Sequence, residues 1–463
     1  MKNNAPTFAF IGKPNNGKSS IISALTFDDR IKISSEVGTT TTSQQYSYMY
    51  NSNVVCNFYD TPGFEQAKMI YNYIKRDKES YGHNSLREFI QEYKSEDSMR
   101  KDIEILEAIL ESDFIVFVIN ISQNYNQNVI GYELEIIKSL KKPLLIFFNQ
   151  IGGSDNLYEW RDKLKEYNLN NTHFINPLRG SYQNISNIYT SLYTIDSSLE
   201  DKLYLDQLLR THRKHLQQNK QNSSSEIAKM LVEILQYENI YKTSHEKITQ
   251  DDKQKALHSY QNKIYEIENR YKRKIEKIWG YYQVNVVDER PKIDSQQSIK
   301  LGLTKERLVA LSSVLGVGAG AILGSPLAIF DAGISSVVFS SIGGLVAGGS
   351  AYLASDKFSS FVISKKSIIH KIDKRNYNVS FILLKRSLEH LDRLIKHGHA
   401  NRTDILIPKD SSEWKFNSEF SFEDEMEKKI AKIHISVVSD ENTIEKRDEL
   451  FRIILEVINK NIE

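Results

Sequence analysis

The stretch GKPNNGKS at residues 12–19 decides the fold of the N-terminal part of this chain. It follows the apolar run 8–11, which is typical of a buried strand, and it precedes the helical pattern 19–25. A strand, a glycine-rich turn ending in Gly-Lys-Ser and a helix are the context of a P-loop. In such a loop, backbone N–H groups surround phosphates, Lys18 contacts the terminal phosphates and the Ser19 hydroxyl holds magnesium. The sequence therefore predicts that the chain binds a nucleoside triphosphate.

A second motif, DTPG at residues 60–63, follows the predicted strand 54–59 at the separation expected from a P-loop. In P-loop enzymes an aspartate at this strand end, here Asp60, holds magnesium, usually through water. The glycine after it, Gly63, allows a backbone N–H to reach the γ-phosphate without steric obstruction. The motif predicts the magnesium and γ-phosphate side of the nucleotide site.

The loop between the two motifs contains the run GTTTT at residues 38–42. One of its hydroxyl groups would complete the magnesium shell only while the γ-phosphate is present, which is how a switch loop becomes ordered. The alternative is an ordinary threonine-rich loop that leads into the predicted strand 45–50.

Taken together, G-x-P-N-x-G-K-S-S, G-T-T and D-T-x-G resemble the TrmE/Era/EngA branch of bacterial GTPases, over roughly the first 195 residues. The resemblance implies an α/β G domain whose mainly parallel sheet carries helices on both faces. It also implies GTP or GDP as the ligand and magnesium as the cofactor. By this likeness, the P-loop residues that hold phosphates or their counter-ions are Gly12, Asn15, Asn16, Gly17, Lys18, Ser19 and Ser20.

The resemblance further implies a catalytic set of Lys18, Thr40 and Gly63, and a magnesium set of Ser19, Thr40 and Asp60. Thr39 and Thr41 lie near enough to leave the assignment of the switch threonine open. In potassium-activated members the P-loop asparagine, here Asn15, helps to bind a monovalent cation. That cation can supply the positive charge that an arginine finger otherwise brings to the transition state.

Two positions depart from the pattern of these GTPases. Phe64 follows the DTPG motif, where Ras-like enzymes have the glutamine that orients water, so intrinsic hydrolysis is expected to be slow and to depend on potassium or a partner. The predicted strand 144–148 ends in NQIG at residues 149–152, where Asn-Lys-x-Asp would recognise guanine. Asn149 is still expected to contact the base, and Asp155 is a candidate substitute for the missing aspartate. The preference for guanine follows from the resemblance.

The composition limits the classes of partner and compartment. Charged residues are 26% of the chain and the net charge is only +2, so no DNA partner is expected, while RNA is not excluded. The one cysteine, Cys56, lies in a predicted buried strand, so a disulfide framework is excluded and a reducing compartment fits. The first residues show no signal-peptide core, and a cytoplasmic G domain is expected.

Residues 65–112 form a long polar insertion behind the DTPG motif, and its end, from Ile103 to residue 110, has helical periodicity. Because the insertion directly follows the DTPG motif, it is expected either to sense the nucleotide state or to be an enlarged loop without such a role. Beyond residue 197, amphipathic helices are predicted at 203–216 and 226–237, with a polar linker at 217–225. Apolar residues at 3–4 spacing over 257–278 predict a helix that packs within the chain, or alternatively self-associates as a coiled coil.

The stretch 308–354 is rich in Gly, Ala and Ser, and Asp331 is its only charge. It divides into two arms, 308–330 and 334–354, each about the ~20 residues that span a bilayer, and basic residues flank both ends. We expect a helical hairpin that engages the cytoplasmic membrane, with a hairpin buried in a soluble helical domain as the rival.

After the hairpin, apolar residues at 361, 368, 369, 372 and 381–395 predict further amphipathic helices, and 444–458 predicts one more. The expected domains are a G domain at 1–196, a helical region at 197–300, the hairpin at 301–356 and a C-terminal helical region at 357–463. This order resembles a bacterial family whose C-terminal half has no assigned function. The expected function is a switch GTPase on the cytoplasmic face of the inner membrane. The alternatives are a soluble RNA- or ribosome-associated assembly GTPase in the cytoplasm and a membrane-shaping structural protein.

Overall fold

The computed structural model describes residues 5–32, 42–76, 82–123, 127–151, 156–178, 182–195, 198–290, 303, 305–314, 360–364, 366–374, 376–407 and 422–461. The predicted switch threonines Thr39, Thr40 and Thr41 and residues 315–354 of the apolar stretch lie outside these ranges. The chain forms two compact units. The first consists of Met1–Gln218, Trp279–Val284 and Ile395–Thr403, and the second of Asn219–Ile278, Asn285–Leu394 and Asp404–Glu463.

The first unit contains a mainly parallel sheet, which is six-stranded in the described residues and has the order β2-β3-β1-β4-β5-β6. The strands are β1 (Thr7–Ile11), β2 (Gln44–Tyr50), β3 (Asn53–Asp60), β4 (Phe114–Asn120), β5 (Leu144–Asn149) and β6 (Thr172–Ile175). All neighbours pair in parallel except β2, which runs antiparallel to β3. The predicted α/β fold class is confirmed.

Helices cover both faces of this sheet. They are α1 (Lys18–Thr26), α2 (Ala67–Ile74), α3 (His83–Tyr93), a 3₁₀ turn at Asp97–Met99, α4 (Arg100–Glu111), α5 (Gln127–Ser139), α6 (Leu157–Glu166) and α7 (Tyr182–Tyr193). Successive side chains of a strand point to opposite faces. Ala9 and Ile11 accordingly belong to the buried cluster that includes α2 to α6, whereas Phe8 on the other face stacks on Phe114 at 4.8 Å between ring centroids. On that second face α1 contacts β2 and β3.

The predicted insertion 65–112 is part of the hydrophobic core of the first unit. Its helices α2, α3 and α4 contribute fully buried side chains such as Ile70, Phe89 and Leu106. Helix α4 confirms the predicted amphipathic helix. The sequence pattern did not reveal α2 and α3, because several tyrosines at partly exposed positions pack against the core and obscure the helical periodicity of the apolar residues. For example, the Phe89 ring lies 5.1 Å from that of Tyr73 and 4.6 Å from that of Tyr93, measured between ring centroids.

Two later segments of the chain complete the first unit beside the end of α1. Asp29 is fully buried, and its carboxylate accepts the backbone N–H groups of Tyr282, Gln283 and Val284 at 2.9, 2.8 and 2.9 Å. Burial of a carboxylate costs free energy unless it is hydrogen-bonded or paired. The segment 279–284 therefore supplies three hydrogen bonds to a buried carboxylate of the N-terminal part.

The second of these segments, 395–403, binds the same region through Arg402 and His399. Arg402 donates from Nη2 to the carbonyl of Ile31 at 2.5 Å and from Nη1 to the carbonyl of His399 at 2.6 Å. The hydroxyl of Ser23 in α1 donates to the same His399 carbonyl at 3.1 Å. The first unit thus extends past the predicted boundary at residue 196 and takes in two stretches from far along the chain.

The remaining elements are mostly helical. They are α8 (Leu199–Gln236), which begins in the first unit, β7 (Asn239–Lys242), α9 (Gln250–Ile278), β8 (Val286–Asp288), α10 (Lys305–Val314), β9 (Ser360–Ser364), β10 (Ser367–Lys371), α11 (Asn378–Lys396), β11 (Ile405–Ile407), α12 (Asp424–Val438) and α13 (Thr443–Asn461). Strands β7, β10 and β9 form an antiparallel sheet, and β8 pairs in parallel with β11. Helices α11 and α13 confirm the predictions for 381–395 and 444–458.

Two predictions for this region were wrong. The polar linker 217–225 is helical and lies within α8. It contains neither Gly nor Pro, and Ser224 is fully buried with its hydroxyl donating to the carbonyl of Lys220 at 2.8 Å, so the serines do not break the helix. The apolar residues near 361 and 368 form the hairpin β9–β10 rather than a helix. Its sequences SFVIS and SIIHK are rich in β-branched residues, which favour strands.

The apolar seam predicted over 257–278 lies on α9 and is buried within the chain. Tyr260, Ile264, Ile267 and Tyr271 are all at most 7% exposed. Strands β7 and β10 contact this helix, and Ala256 packs on Ile368 in a small apolar cluster. Packing within the chain, the favoured interpretation of the seam, accounts for these side chains.

Helix α9 also carries the centre of a buried ionic network in the second unit. Glu268 is fully buried and pairs with Arg386 at 2.9 Å and with Lys272 at 2.6 Å, and Lys272 reaches Asp288 at 2.7 Å. Burial alone would raise the pKa of Glu268, but the charges of Arg386 and Lys272 outweigh it and lower this pKa to about 2. Removing one partner would leave a buried charge uncompensated, so the network holds α9, β8 and α11 in one arrangement.

Among the described residues, no helix combines the length and the apolar character needed to span a bilayer.

Asp29 provides a direct test of how the first unit is held together. We expect Asp29→Ala to lower the free energy of unfolding by about 3 kcal/mol, because three buried N–H groups lose a charged acceptor. Asp162→Ala is the control, since Asp162 forms an exposed pair with Lys165 and its loss should leave stability nearly unchanged. Urea denaturation followed by circular dichroism measures both. Equal midpoints for the two variants would contradict the prediction.

Candidate nucleotide-binding site

The P-loop connects β1 to α1 at the carboxyl edge of the parallel strands. Gly12 adopts φ +140°, and a Cβ at this position would lie 2.3 Å from the carbonyl oxygen of Val118 in β4. Only glycine therefore fits where the loop leaves the strand. Asn15 at the exposed tip adopts φ 63°, a left-handed conformation that asparagine tolerates better than most residues. The local sequence thus suits the tight loop that the motif predicts.

Lys18 lies inside this loop. It is only 5% exposed, and its Nζ donates to the carbonyls of Gly12 at 2.8 Å and Lys13 at 3.1 Å. Burial lowers the pKa of Lys18 to about 8, while the negative charges of Asp60 and Glu133 act in the opposite direction. The amine therefore remains mostly protonated near neutral pH. A cation held inside the loop can contact the terminal phosphates of a nucleotide.

Ser19 and Asp60 meet beside the loop, as the magnesium prediction requires. The Ser19 hydroxyl donates to Oδ2 of Asp60 at 2.5 Å. Asp60 is only 2% exposed, and its Oδ1 is buried without a hydrogen-bond partner in the described part of the chain. Burial raises the pKa of Asp60, while Ser19 and Lys18 act to lower it. A buried carboxylate oxygen without a partner, next to a hydroxyl, fits magnesium, which prefers oxygen ligands. The third predicted ligand, Thr40, lies outside the described residues.

The DTPG motif packs directly on the P-loop. A Cβ on Gly63 would lie 2.4 Å from Cδ of Pro14, so the glycine allows the two loops to approach closely. Thr61 is fully buried and its hydroxyl donates to the carbonyl of Phe10 at 2.7 Å. Phe64 packs against the hydrophobic cluster of the first unit, and its ring offers no group that could orient water. The geometry places Gly63 beside the P-loop, and its predicted contact with the γ-phosphate stays a prediction.

Asn16 and Asn149 stabilise the P-loop through hydrogen bonds to backbone carbonyl groups. Asn16 donates from Nδ2 to the carbonyl of Val118 at 2.7 Å, and Asn149 donates from Nδ2 to the carbonyl of Asn16 at 2.9 Å. Both side chains are at most 5% exposed. The structure therefore gives these two amide groups a part in positioning the P-loop. The predicted base contact of Asn149 and phosphate contact of Asn16 stay predictions, and Asp155 lies outside the described residues.

The sequence motifs did not reveal a buried glutamate beside the P-loop. Glu133 on α5 is 1% exposed, and neither carboxylate oxygen has a hydrogen-bond partner in the described residues. Burial raises its pKa to about 7 despite the opposing charges of Lys13 and Lys18, and Asp102 raises it further. The signal in the sequence is a glutamate among the apolar residues of an amphipathic helix, between Ile130 and Leu134.

Comparison with known protein families finds two matches along the chain. Residues 7–150 match the family model described as 50S ribosome-binding GTPase, and residues 161–449 match a domain of unknown function, DUF3482. The GTPase Der of Chlamydia muridarum is 32% identical over 144 residues. That match covers 31% of this chain and 24% of Der, so the chain spans about a quarter of the length of this relative.

Two solved structures of Era also resemble this chain. One is Era in complex with MgGDPNP and a fragment of 16S ribosomal RNA, at 16% identity with a TM-score of 0.29. The other is Aquifex aeolicus Era bound to GDP and AlF4⁻, at 18% identity with a TM-score of 0.28. Each match covers 60% of this chain, and 89% and 90% of the respective Era chain. Both superpositions are too weak to inform the function.

The pairing of Ser19 with Asp60 predicts a specific effect of Asp60→Asn. The asparagine can still accept the Ser19 hydrogen bond, but it lacks the charge that holds the cation. We expect the gain in triphosphate affinity that magnesium provides to fall at least about tenfold, or ~1.4 kcal/mol, with little change in affinity in EDTA. Titration of fluorescently labelled GTP with and without magnesium measures this, and exposed Asp162→Asn serves as the control. An unchanged magnesium dependence in the variant would rule out this role of Asp60.

Proposed function

This chain belongs to the family defined by the domain of unknown function DUF3482, which here follows a P-loop GTPase domain of the Era/TrmE/EngA type, and we propose that the protein is a GTP-hydrolysing molecular switch. One observation carries the proposal. The cation Lys18, the Ser19–Asp60 pair and Gly63 all lie at the carboxyl edge of the parallel sheet, around one phosphate-sized loop. Ligands bind at this edge in open α/β folds.

The proposed reaction is in-line attack of water on the γ-phosphate of GTP, with GDP and phosphate as products. Magnesium, when bound at Ser19 and Asp60, would neutralise charge on the β- and γ-phosphates. Lys18 holds the same phosphates with its protonated amine, and the Gly63 N–H binds a γ-phosphate oxygen. Phe64 supplies no water-orienting group, so the intrinsic rate is expected to be slow.

Potassium is proposed as an additional activator at Asn15. Asn15 lies at the exposed tip of the P-loop, two residues from Gly17 and three from Lys18. A monovalent cation at this tip would add positive charge where an arginine finger acts in other GTPases. This would offset part of the loss caused by Phe64.

The nucleotide preference and the role of Asn15 can be measured together. We expect GTP analogues to bind at least about tenfold more tightly than ATP analogues, a difference of ~1.4 kcal/mol. We also expect potassium to raise hydrolysis above the rate in sodium, and Asn15→Ala to remove that increase. Asn51→Ala is a matched control, because Asn51 is also exposed with positive φ but lies in the β2–β3 turn. Absence of magnesium-dependent hydrolysis in either salt would disprove the enzymatic proposal.

We further propose that the protein acts at the cytoplasmic face of the inner membrane. The support is the sequence of 308–354, with Asp331 as its only charge and basic residues on both sides. In this proposal the nucleotide state controls how the hairpin engages lipid. The second candidate is a ribosome-associated assembly GTPase in the cytoplasm, which is favoured by the description of the family model that residues 7–150 match.

Cell fractionation distinguishes the two sites of action. We expect the full-length protein to sediment with membranes and to resist extraction with alkaline carbonate, because an inserted apolar hairpin is held by hydrophobic burial. Replacement of 315–354 by a Gly-Ser linker of equal length should release it, whereas Asp162→Ala should not. Recovery of the full-length protein in the soluble fraction would contradict the membrane proposal. Comigration with the large ribosomal subunit would favour the second candidate.

A further inference from the structure

Helix α4, the last helix before β4, holds the chain directly behind the DTPG motif. Asp102 is fully buried, and its Oδ1 accepts the backbone N–H groups of Glu65 and Gln66, both at 3.0 Å. The neighbouring Lys101 adds an ion pair with Glu65 at 2.6 Å. Glu65 is two residues from Gly63. The carboxylate therefore fixes the backbone just after the glycine that is proposed to bind the γ-phosphate.

The same helix holds the end of the threonine-rich switch loop. Oε2 of Glu104 accepts the backbone N–H of Ser43 at 2.8 Å, and the Ser43 hydroxyl donates to the backbone carbonyl of Glu104 at 3.3 Å. Ser43 directly follows Thr42, the last threonine of the run 38–42. Glu104 is half-buried, so water competes only in part for this contact.

These contacts bring two loops that are separate in sequence onto one short piece of helix. We propose that Asp102 and Glu104 are positioning residues of the GTPase reaction. They hold Ser43, just behind the threonine run, and the backbone of Glu65 and Gln66, just behind Gly63, on one helix, which fixes the spacing between these two anchor points. This inference rests on the proposed function and assigns to α4 a part that no motif in the sequence indicates.

The physical need for such a device follows from Phe64. Without a side chain that orients water, catalysis depends on how accurately the loops place the γ-phosphate and the attacking water. Loops that move independently would place these groups less accurately. They would also lose conformational entropy each time a nucleotide orders them, which weakens binding. Two carboxylates on one rigid helix reduce both losses. The contacts of the two carboxylates are to Ser43 and to the backbone behind Gly63, so in this proposal they act through those segments.

Glu104 gives the cleaner test, because it is half-buried and its loss should not unfold the domain. We expect Glu104→Ala to lower kcat for GTP about tenfold and to weaken a non-hydrolysable GTP analogue, while GDP affinity stays within about twofold of wild type. Glu104→Gln keeps an oxygen that accepts the Ser43 N–H and should restore kcat to within about twofold of wild type. Exposed Glu107→Ala on the same helix is the matched control.

The wild-type protein is measured first, so that failure of the proposed function is distinguished from failure of this inference. If the wild type hydrolyses GTP and Glu104→Ala matches it within about twofold, the positioning role is wrong. Equal losses of GDP and GTP-analogue affinity would also overturn it, because a general disturbance of the domain does not depend on the γ-phosphate. A selective loss with rescue by Glu104→Gln supports it.

Discussion

The parallel pairing of β1 between β3 and β4 is the constraint on which the first unit depends. Parallel neighbours end at the same edge of a sheet, so the residues that follow them must converge there. The P-loop follows β1, the DTPG motif follows β3, and Asn149 ends β5 at the same edge. The apolar strands, most of whose side chains are buried, leave little freedom to shift this register. The site is thus a consequence of strand order, and the loops supply its chemistry.

Charge is distributed around the loop so that each buried group depends on another. Lys18 is buried and kept cationic by nearby carboxylates, while Asp60 is buried next to a hydroxyl and an amine. Glu133 is the second of these carboxylates; it has no hydrogen-bond partner in the described residues and interacts with Lys13 and Lys18 only through space. Such a site is electrostatically suited to a polyanion bound together with a metal ion. The polyanion would neutralise the positive charge of Lys18, and the metal ion would neutralise the negative charge of Asp60. Helix α4 contacts both Ser43 and the backbone behind Gly63, the two segments that we propose it positions.

The part of the fold that depends on local motifs could be predicted from the sequence, and the part that depends on distant contacts could not. GKPNNGKS and DTPG carry their own backbone requirements, so strand, loop and helix were placed correctly around them. Asp29 carries no such signal, since its partners lie more than 250 residues away, with Tyr282 at a separation of 253. The polar residues of 217–225 predict a linker. The same residues are also compatible with a helix, and the structure shows that they form one. Likewise, Glu104 looks like any helical glutamate until the structure brings Ser43 beside it.

The discontinuity of the first unit has a consequence for how the protein is made. Ile31 leaves the ribosome early, but Arg402, which binds its carbonyl, follows 371 residues later. At about 5–20 residues per second, this delay is on the order of tens of seconds. The carboxylate of Asp29 waits for a shorter time, since its partners Tyr282, Gln283 and Val284 follow 253, 254 and 255 residues later. The first unit can therefore reach its complete set of contacts only after Thr403 has been translated.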